Sequence, residues 1–420
     1  MTDIDRRALL AATAGAVVAS QLSGSGAAEA ATSGRWTAAR ANQWYAQQPW
    51  LVGANFLPST ASNQFEMFQA DTFDTATIDR ELGYAASIGM NVMRVFLHNL
   101  LWQQDPRGFL KRIDTYLSIS AAHGIRTMLV LFDSCWNPFP KLGTQPAPVP
   151  GIHNSQWVQA PGAAVLQDPS KYRALGDYVT GVVGAFRNDP RVLLWDIWNE
   201  PDNTNGNSYG YLEPKNKVEL VTALLPYVFA AARSASPSQP LTSPLWAGDW
   251  SSPETLNPTQ MVQFNHSDVF SFHNYGFGES FLASIQQLQQ YGRPVLCSEY
   301  MARDNGSTFD NSLPIAYQQN VMAINWGLVS GRSQTIITWD SWQHPYAAAS
   351  DYPGLYATNY QVVLTPGGEA PPAGGGTRLQ PYASERPGIW HHDVFHQDGT
   401  PYRSAETDLI YKLATSNGRF

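Results

Sequence analysis

Cysteine is nearly absent: the 420 residues hold only Cys135 and Cys297. With no Cys-x-x-Cys and no His partner at ligand spacing, a zinc site and a redox motif are excluded, and although an exported protein could join the two cysteines, they fall on strands predicted to lie far apart. Two free, buried thiols are expected. Charge is also sparse. Charged residues make up 14% and the balance is acidic, at a formal net −8. There is no basic stripe, which argues against a nucleic-acid partner. No apolar run is long enough to read as a membrane span. Internal repeats and an appended binding module are missing as well.

What the chain does have is aromatic side chains, 12% of the total with 14 Trp. Rings this large and amphipathic fill cores and line grooves. Flat apolar rings suit the C–H faces of sugars. At the N-terminus, Arg6 and Arg7 precede the small and apolar run Ala8–Ala19, and Ala28-Glu29-Ala30 offers a small-x-small cleavage site. Residues 1–30 thus resemble a twin-arginine export signal. The expected protein is exported, to the periplasm or beyond, with residues 35–420 forming one domain and a monomer.

From Trp50 onward, short apolar runs alternate with amphipathic helical patterns, the mark of repeated β-α units. The predicted strands are 50–56, 91–96, 126–132, 192–198, 241–246, 269–273, 294–298 and 335–339. Helices are predicted over 77–88, 108–122, 171–187, 216–235, 280–290 and 315–328, with only a turn at 253–261. In the first helix Ile78, Leu82 and Ala85 form the inner stripe, and Asp79, Arg80 and Glu81 are expected to face away. Eight such strands point to an α/β fold, a (β/α)8 TIM barrel with long loops at the C-terminal face of the strands. Catalytic groups on such barrels sit at the strand C-termini. The Pro/Gly-rich stretches 134–168 and 341–388 would wall a groove on that face.

Two strand ends carry carboxylates. Trp195-Asp196-Ile197-Trp198-Asn199-Glu200-Pro201 places Glu200 at the mouth after strand four. Val295-Leu296-Cys297-Ser298-Glu299-Tyr300 places Glu299 after strand seven. A carboxyl held among aromatic rings is partly desolvated, which raises its pKa and suits it to donate a proton. Cleaving a glycosidic bond takes two carboxyl groups. A gap of about 5–5.5 Å gives retention and about 6.5–9.5 Å gives inversion. The shorter gap is expected.

With those residues in view, the chain resembles glycoside hydrolase family 5, the cellulase and mannanase family, from about Trp50 to Trp342. The resemblance implies a retaining hydrolase of β-linked glycans, with Glu200 as acid/base and Glu299 as nucleophile. It implies that Asn199 binds a sugar hydroxyl and that Arg94 steadies Glu299. His273 would line the sugar site, Tyr275 would bond Glu299, and Trp339, read as the end of strand eight, would be the sugar platform. Many members carry His at the end of strand three. Here that position is Asp133, with His98 as a candidate to share the role. An oligo- or polysaccharide is the implied partner, and neither a metal nor an organic cofactor is needed. Two other readings use the same barrel: a transglycosylase with the same two glutamates, and a binding barrel without catalysis. Ser134 and Ser298 lack the Gly-x-Ser-x-Gly elbow of serine hydrolases. His391-His392-Asp393 is read as a segment packed on the barrel rather than a metal site.

Overall fold

A computed structural model describes residues 34–346 and 388–416. Residues 1–30, expected to be an export signal, and most of the 341–388 stretch lie outside the described residues. Eight short parallel strands carry the fold: β1 (Val52–Asn55), β2 (Val92–Phe96), β3 (Arg126–Val130), β4 (Val192–Asp196), β5 (Leu241–Thr242), β6 (Phe270–His273), β7 (Val295–Glu299) and β8 (Met322–Asn325). They are ordered β5-β4-β3-β2-β1-β8-β7-β6. The remaining seam is bridged where Leu245 N donates to Ser271 O (3.0 Å) and His273 N donates to Leu245 O (2.8 Å). The result is a (β/α)8 barrel. Each strand is followed by a helix: α1 (Thr75–Ser87), α2 (Pro106–Ala122), α3 (Tyr172–Phe186), α4 (Lys217–Ser234), α5 (Pro258–His266), α6 (Gly278–Gln289), α7 (Phe309–Gln318) and α8 (Ser404–Ala414).

Strand alternation sorts the barrel interior into layers. Val92, Met128, Leu194, Leu296 and Ile324 fill the bottom, closed from below by Trp36 and Ala41 of the N-terminal segment. Two residues further up, Arg94 and Asp196 form a buried polar layer. Above it, Phe96, Val130 and Trp326 meet Trp157 in an aromatic layer at the mouth. The outward-facing positions, such as Met93, Val95 and Leu129, join the larger core under the helices. β1 and β2 approach so closely that a Cβ on Gly53 would sit 1.6 Å from the Val92 carbonyl oxygen. Cys135 and Cys297 are free and buried. No helix among the described residues is long and apolar enough to cross a membrane.

Three expectations fail locally. Strand eight is not 335–339. It is Met322–Asn325, paired with both β1 and β7. The predicted helix 315–328 had merged the end of α7 with this strand, because their apolar residues run together. Asn320, at φ 51°, breaks the two apart. Residues 335–339 belong instead to the loop after β8, which ends in a 3-10 turn at Trp339–Trp342. Between β5 and β6 there is a full helix, α5, started by an Asn257–Gln260 capping box and Pro258. Finally, Glu81 does not face away. It is fully buried and accepts hydrogen bonds from Ser59 N (3.0 Å) and Ser59 Oγ.

Burial raises the Glu81 pKa from 4.5 to about 7, against the pull of the Ser59 bonds. A carboxyl with a raised native pKa keeps its proton longer when folded than when unfolded. Its penalty is therefore absent below about pH 4.5 and grows as pH rises toward 7. Replacing it by Gln should stabilise the protein at pH 8 relative to pH 4 by on the order of 2–3 kcal/mol. Urea unfolding of Glu81→Gln and the parent at both pH values checks this, and an equal difference at the two would contradict it.

Candidate active site

The site is organised from the polar layer upward. Arg94, on β2, is completely buried, and all five of its N–H groups find acceptors. Nε and one Nη2 proton go to Asp196 Oδ2 (3.0 and 2.7 Å), and the other Nη2 proton goes to Asn199 Oδ1 (2.6 Å). The Nη1 protons go to Asn55 Oδ1 (2.9 Å) and Glu299 Oε1 (2.7 Å). Phe96 covers the guanidinium from the side, 4.8 Å from its ring centre.

Glu299 ends β7. Besides Arg94, it accepts from Tyr275 Oη (2.8 Å) through Oε2. Glu200 lies just past β4, at φ 43°. A non-glycine residue in this region carries about 1–2 kcal/mol of strain. Its neighbours fix that turn: Asn199 N donates to Phe132 O (2.8 Å) and Asn203 N donates to Glu200 O (3.0 Å). The turn aims the Glu200 carboxyl at the barrel axis. There Oε1 meets His273 Nδ1 (2.8 Å), while Oε2 accepts from Asn203 Nδ2 (2.6 Å) and Cys135 Sγ (3.2 Å). The facing atoms of Glu200, His273 and Glu299 all lie within 4.8 Å of one another. With facing oxygens this near, the pair fits the shorter carboxyl gap better than the wider one that leaves room for a water.

Burial raises the pKa of both glutamates. Their partners separate them. Burial lowers His273 to about 3, so the imidazole between them is neutral and donates through Nδ1. Arg94 is then the cation in contact with Glu299, and it favours the ionised form there. Glu200 has the neutral donors His273, Asn203 and Cys135 in contact and no arginine, so the contacts favour the ionised form more at Glu299 than at Glu200.

A cavity of about 520 Å³ opens over this pair. Asp133, Asn199, Glu200, His273, Tyr275, Glu299 and Trp339 all line it. Asp133, raised to about 6 by burial, accepts from Trp157 Nε1 (2.7 Å) and Asn199 Nδ2 (3.0 Å). His98 does not reach the cavity. It is fully buried: Nδ1 caps the helix Asn99–Gln104 by accepting from Leu100 N (3.1 Å), and Nε2 bonds Gln159 O (2.8 Å). Both ring nitrogens are occupied in a structural role, so His98 does not replace a strand-three histidine. Trp339 arrives from the β8 loop, edge-on to Tyr275 at 5.0 Å. The tryptophan directly after β8 is Trp326, which also lines the cavity. His391 and His392 pack with Trp339 and His153 behind the wall.

Four contributors were missing from the sequence reading: Asp196, Asn55, Asn203 and Trp326. Asp196 had a signal, since it alternates with the inward Leu194 and a buried arginine needs acceptors. Trp326 was hidden by the misplaced strand. Asn55 makes contacts across strands that leave no local pattern, whereas Asn203 lies only three residues past Glu200 in the turn after β4.

Residues 59–345 match the family Cellulase (glycosyl hydrolase family 5). The chain belongs to glycosyl hydrolase family 5. It is a glycosidase that hydrolyses O-glycosyl bonds, and the paired carboxyls above lie in the matched region. Among solved structures, the hydrolase is similar to a GH5_18 protein from Streptomyces cattleya in complex with GlcNAc (14% identity, 88% of this chain and 82% of that one, TM-score 0.54). It is also similar to a variant of that protein in complex with Manb1-4GlcNAc (13%, 87% and 80%, 0.53) and to a β-mannanase from the blue mussel Mytilus edulis (16%, 70% and 89%, 0.48). At these identities the likeness is one of fold. No curated protein matches the hydrolase in sequence.

Asn203 and Cys135 donate to the carboxylate form of Glu200, so they lower its pKa against burial. Asn203→Ala should therefore raise the Glu200 pKa. Carbon-13 NMR titration of the glutamate carboxyls reads this directly, and an unchanged or lowered value would contradict it.

Proposed function

We propose that Glu299 is the nucleophile and Glu200 the acid/base of a double displacement on a β-linked glycan. The observation that carries this reading is the pair of carboxyls within 4.8 Å, one on an arginine and the other on neutral donors. In the first step a Glu299 oxygen forms a bond to the anomeric carbon. The bond from that carbon to the leaving oxygen breaks, and Glu200 gives its proton to that oxygen. In the second step Glu200 takes a proton from water. The water oxygen bonds the anomeric carbon, and the Glu299 ester bond breaks.

The protein's own groups do the positioning. Arg94 and Tyr275 hold Glu299 from both oxygens, so that it attacks in one orientation. His273 Nε2 has no partner among the described residues. With the proton on Nδ1 it is a bare acceptor facing a sugar hydroxyl. Trp326 and Trp339 offer apolar ring surface. Solved relatives of the same fold hold GlcNAc and Manb1-4GlcNAc. A β-linked hexose oligosaccharide is accordingly the substrate class we favour. We also propose export, on the strength of Arg6-Arg7 and the apolar run that follows.

The first-formed sugar should be the β-anomer, seen by proton NMR before mutarotation, and an α-anomer would contradict double displacement. Glu200→Gln should lower kcat/KM about 10²–10⁴-fold for a glycan, whose leaving group needs the proton. It should cost far less for a nitrophenyl glycoside, whose leaving group does not. Equal losses on both substrates would remove Glu200 from the acid role. The parent's rate should fall at low pH as Glu299 protonates and at high pH as Glu200 loses its proton, giving a bell. A flat profile from about pH 4 to 9 would contradict it.

A further inference from the structure

The loops after β3 and β8 are joined to each other across the top of β1 and β2. Asn154 N donates to Ser333 O (2.9 Å), and His153 N donates to Ser341 Oγ (3.0 Å). Gln334 makes three such bonds: it accepts from Gly151 N (2.9 Å) and donates to Val149 O (2.7 Å) and Ile152 O (3.1 Å). The seam is extended by Trp342, which donates to His153 O (3.0 Å) and stacks on Trp136 at 5.6 Å. From below, Asn63 Nδ2 bonds Gln156 O (2.9 Å) and Gln64 Nε2 bonds Val158 O (3.0 Å), tying in the loop after β1. Trp157 then packs with Phe96 and Trp326 into the aromatic layer. Three loops thus form one continuous wall on the β8-β1-β2-β3 side of the two glutamates.

The opposite side is different. A second hollow of about 290 Å³, bordered by Trp246, Gly248 and Ser284, continues from the first. The two share Trp246, His273, Asn274, Tyr275 and Gly276. Toward β1 only a hollow of about 20 Å³ continues from the cavity, sharing Asn154, Trp157 and Trp326 with it, which is room for a water and not for a sugar. Among the described residues, the cavity is therefore closed to a sugar toward β1 and β2 and open toward β5 and β6.

A double displacement fixes which part of the substrate takes which side. The leaving group must depart while the glycosyl group stays on Glu299, and water must then enter where it left. Neither can pass through a wall. The leaving group therefore occupies the β5–β6 side and the transferred sugar the blind side, with its far end against the wall. There Asn154 presents an amide that is 1% exposed and whose Nδ2 and Oδ1 have no protein partner. A buried amide of this kind needs hydrogen-bond partners, and the hydroxyls of a terminal sugar supply both a donor and an acceptor.

We infer that this hydrolase is exo-acting: it removes one sugar at a time from the non-reducing end, with the terminal residue capped by the β3–β8 wall and read by Asn154. The inference rests on the proposed roles of Glu200 and Glu299.

The test has two arms. The first is a panel of nitrophenyl β-glycosides (mannoside, glucoside, N-acetylglucosaminide), assayed with the parent and Glu299→Gln. The second takes the sugar that is turned over, as reducing-end-labelled β-1,4-linked tri- to hexasaccharides with the terminal 4-hydroxyl free or methylated. The expected result is a labelled chain that shortens by one unit per event, a monosaccharide as the sole first product, and at least about a hundredfold loss of rate on methylation. Internal fragments at the earliest times, or equal rates with the methylated chains, would overturn exo action while the first arm still upholds the two glutamates. No turnover in the first arm, or turnover unaffected by Glu299→Gln, overturns both.

Discussion

A guanidinium with no access to water sits at the centre of this barrel, and the site is built around its needs. Burying a charge is costly unless it is paired and every donor is met. Arg94 meets that condition with acceptors from β1, the β4 strand and its end, and β7. The same five bonds position Asn199 and Glu299. Asp196 takes two of the five donors, so the arginine's charge is divided between two carboxylates. Against the burial that raises its pKa, Arg94 favours the ionised form of Glu299 without neutralising it outright, as the proposed nucleophile role requires.

The second glutamate is arranged by the opposite rule. It stands on a strained turn, desolvated, with no cation in contact. His273 touches both carboxyls and is itself kept neutral by burial. Burial raises the pKa of both carboxyls, and their different contacts, an arginine for one and neutral donors for the other, fit them to the two proposed roles. The apolar bottom layer supports this from beneath, because it requires nothing polar from the layer above.

Much of this could be read from the chain because it lies on strands. A strand end fixes both the height and the direction of a side chain, so Glu200, Glu299, Arg94, Asn199, His273 and Tyr275 fell at one mouth once the strands were placed. Where the reading failed, the cause was competing periodicity. The apolar residues of α7 and β8 ran into one another, which displaced strand eight and with it the tryptophan that follows it, Trp326. Glu81 and His98 were misjudged for another reason: a charged residue on a helix and a polar ring past a strand both look exposed, and only tertiary contacts with Ser59 and Gln159 reveal them as buried. Composition marked the loop after β3 as a groove wall, but the bonds that join it to the β8 loop left no trace in the sequence, since Gln334 and Gly151 are 183 positions apart.

The decisive observation would be the covalent intermediate. Incubating the enzyme with a 2-deoxy-2-fluoro β-glycoside bearing a good leaving group slows breakdown of the glycosyl ester, and peptide mass spectrometry then locates the added sugar. The label should fall on Glu299, in the peptide Val295–Tyr300, and disappear when an acceptor is supplied. A label on Glu200, or turnover with no covalent species under any trapping condition, would contradict the paired-carboxyl mechanism.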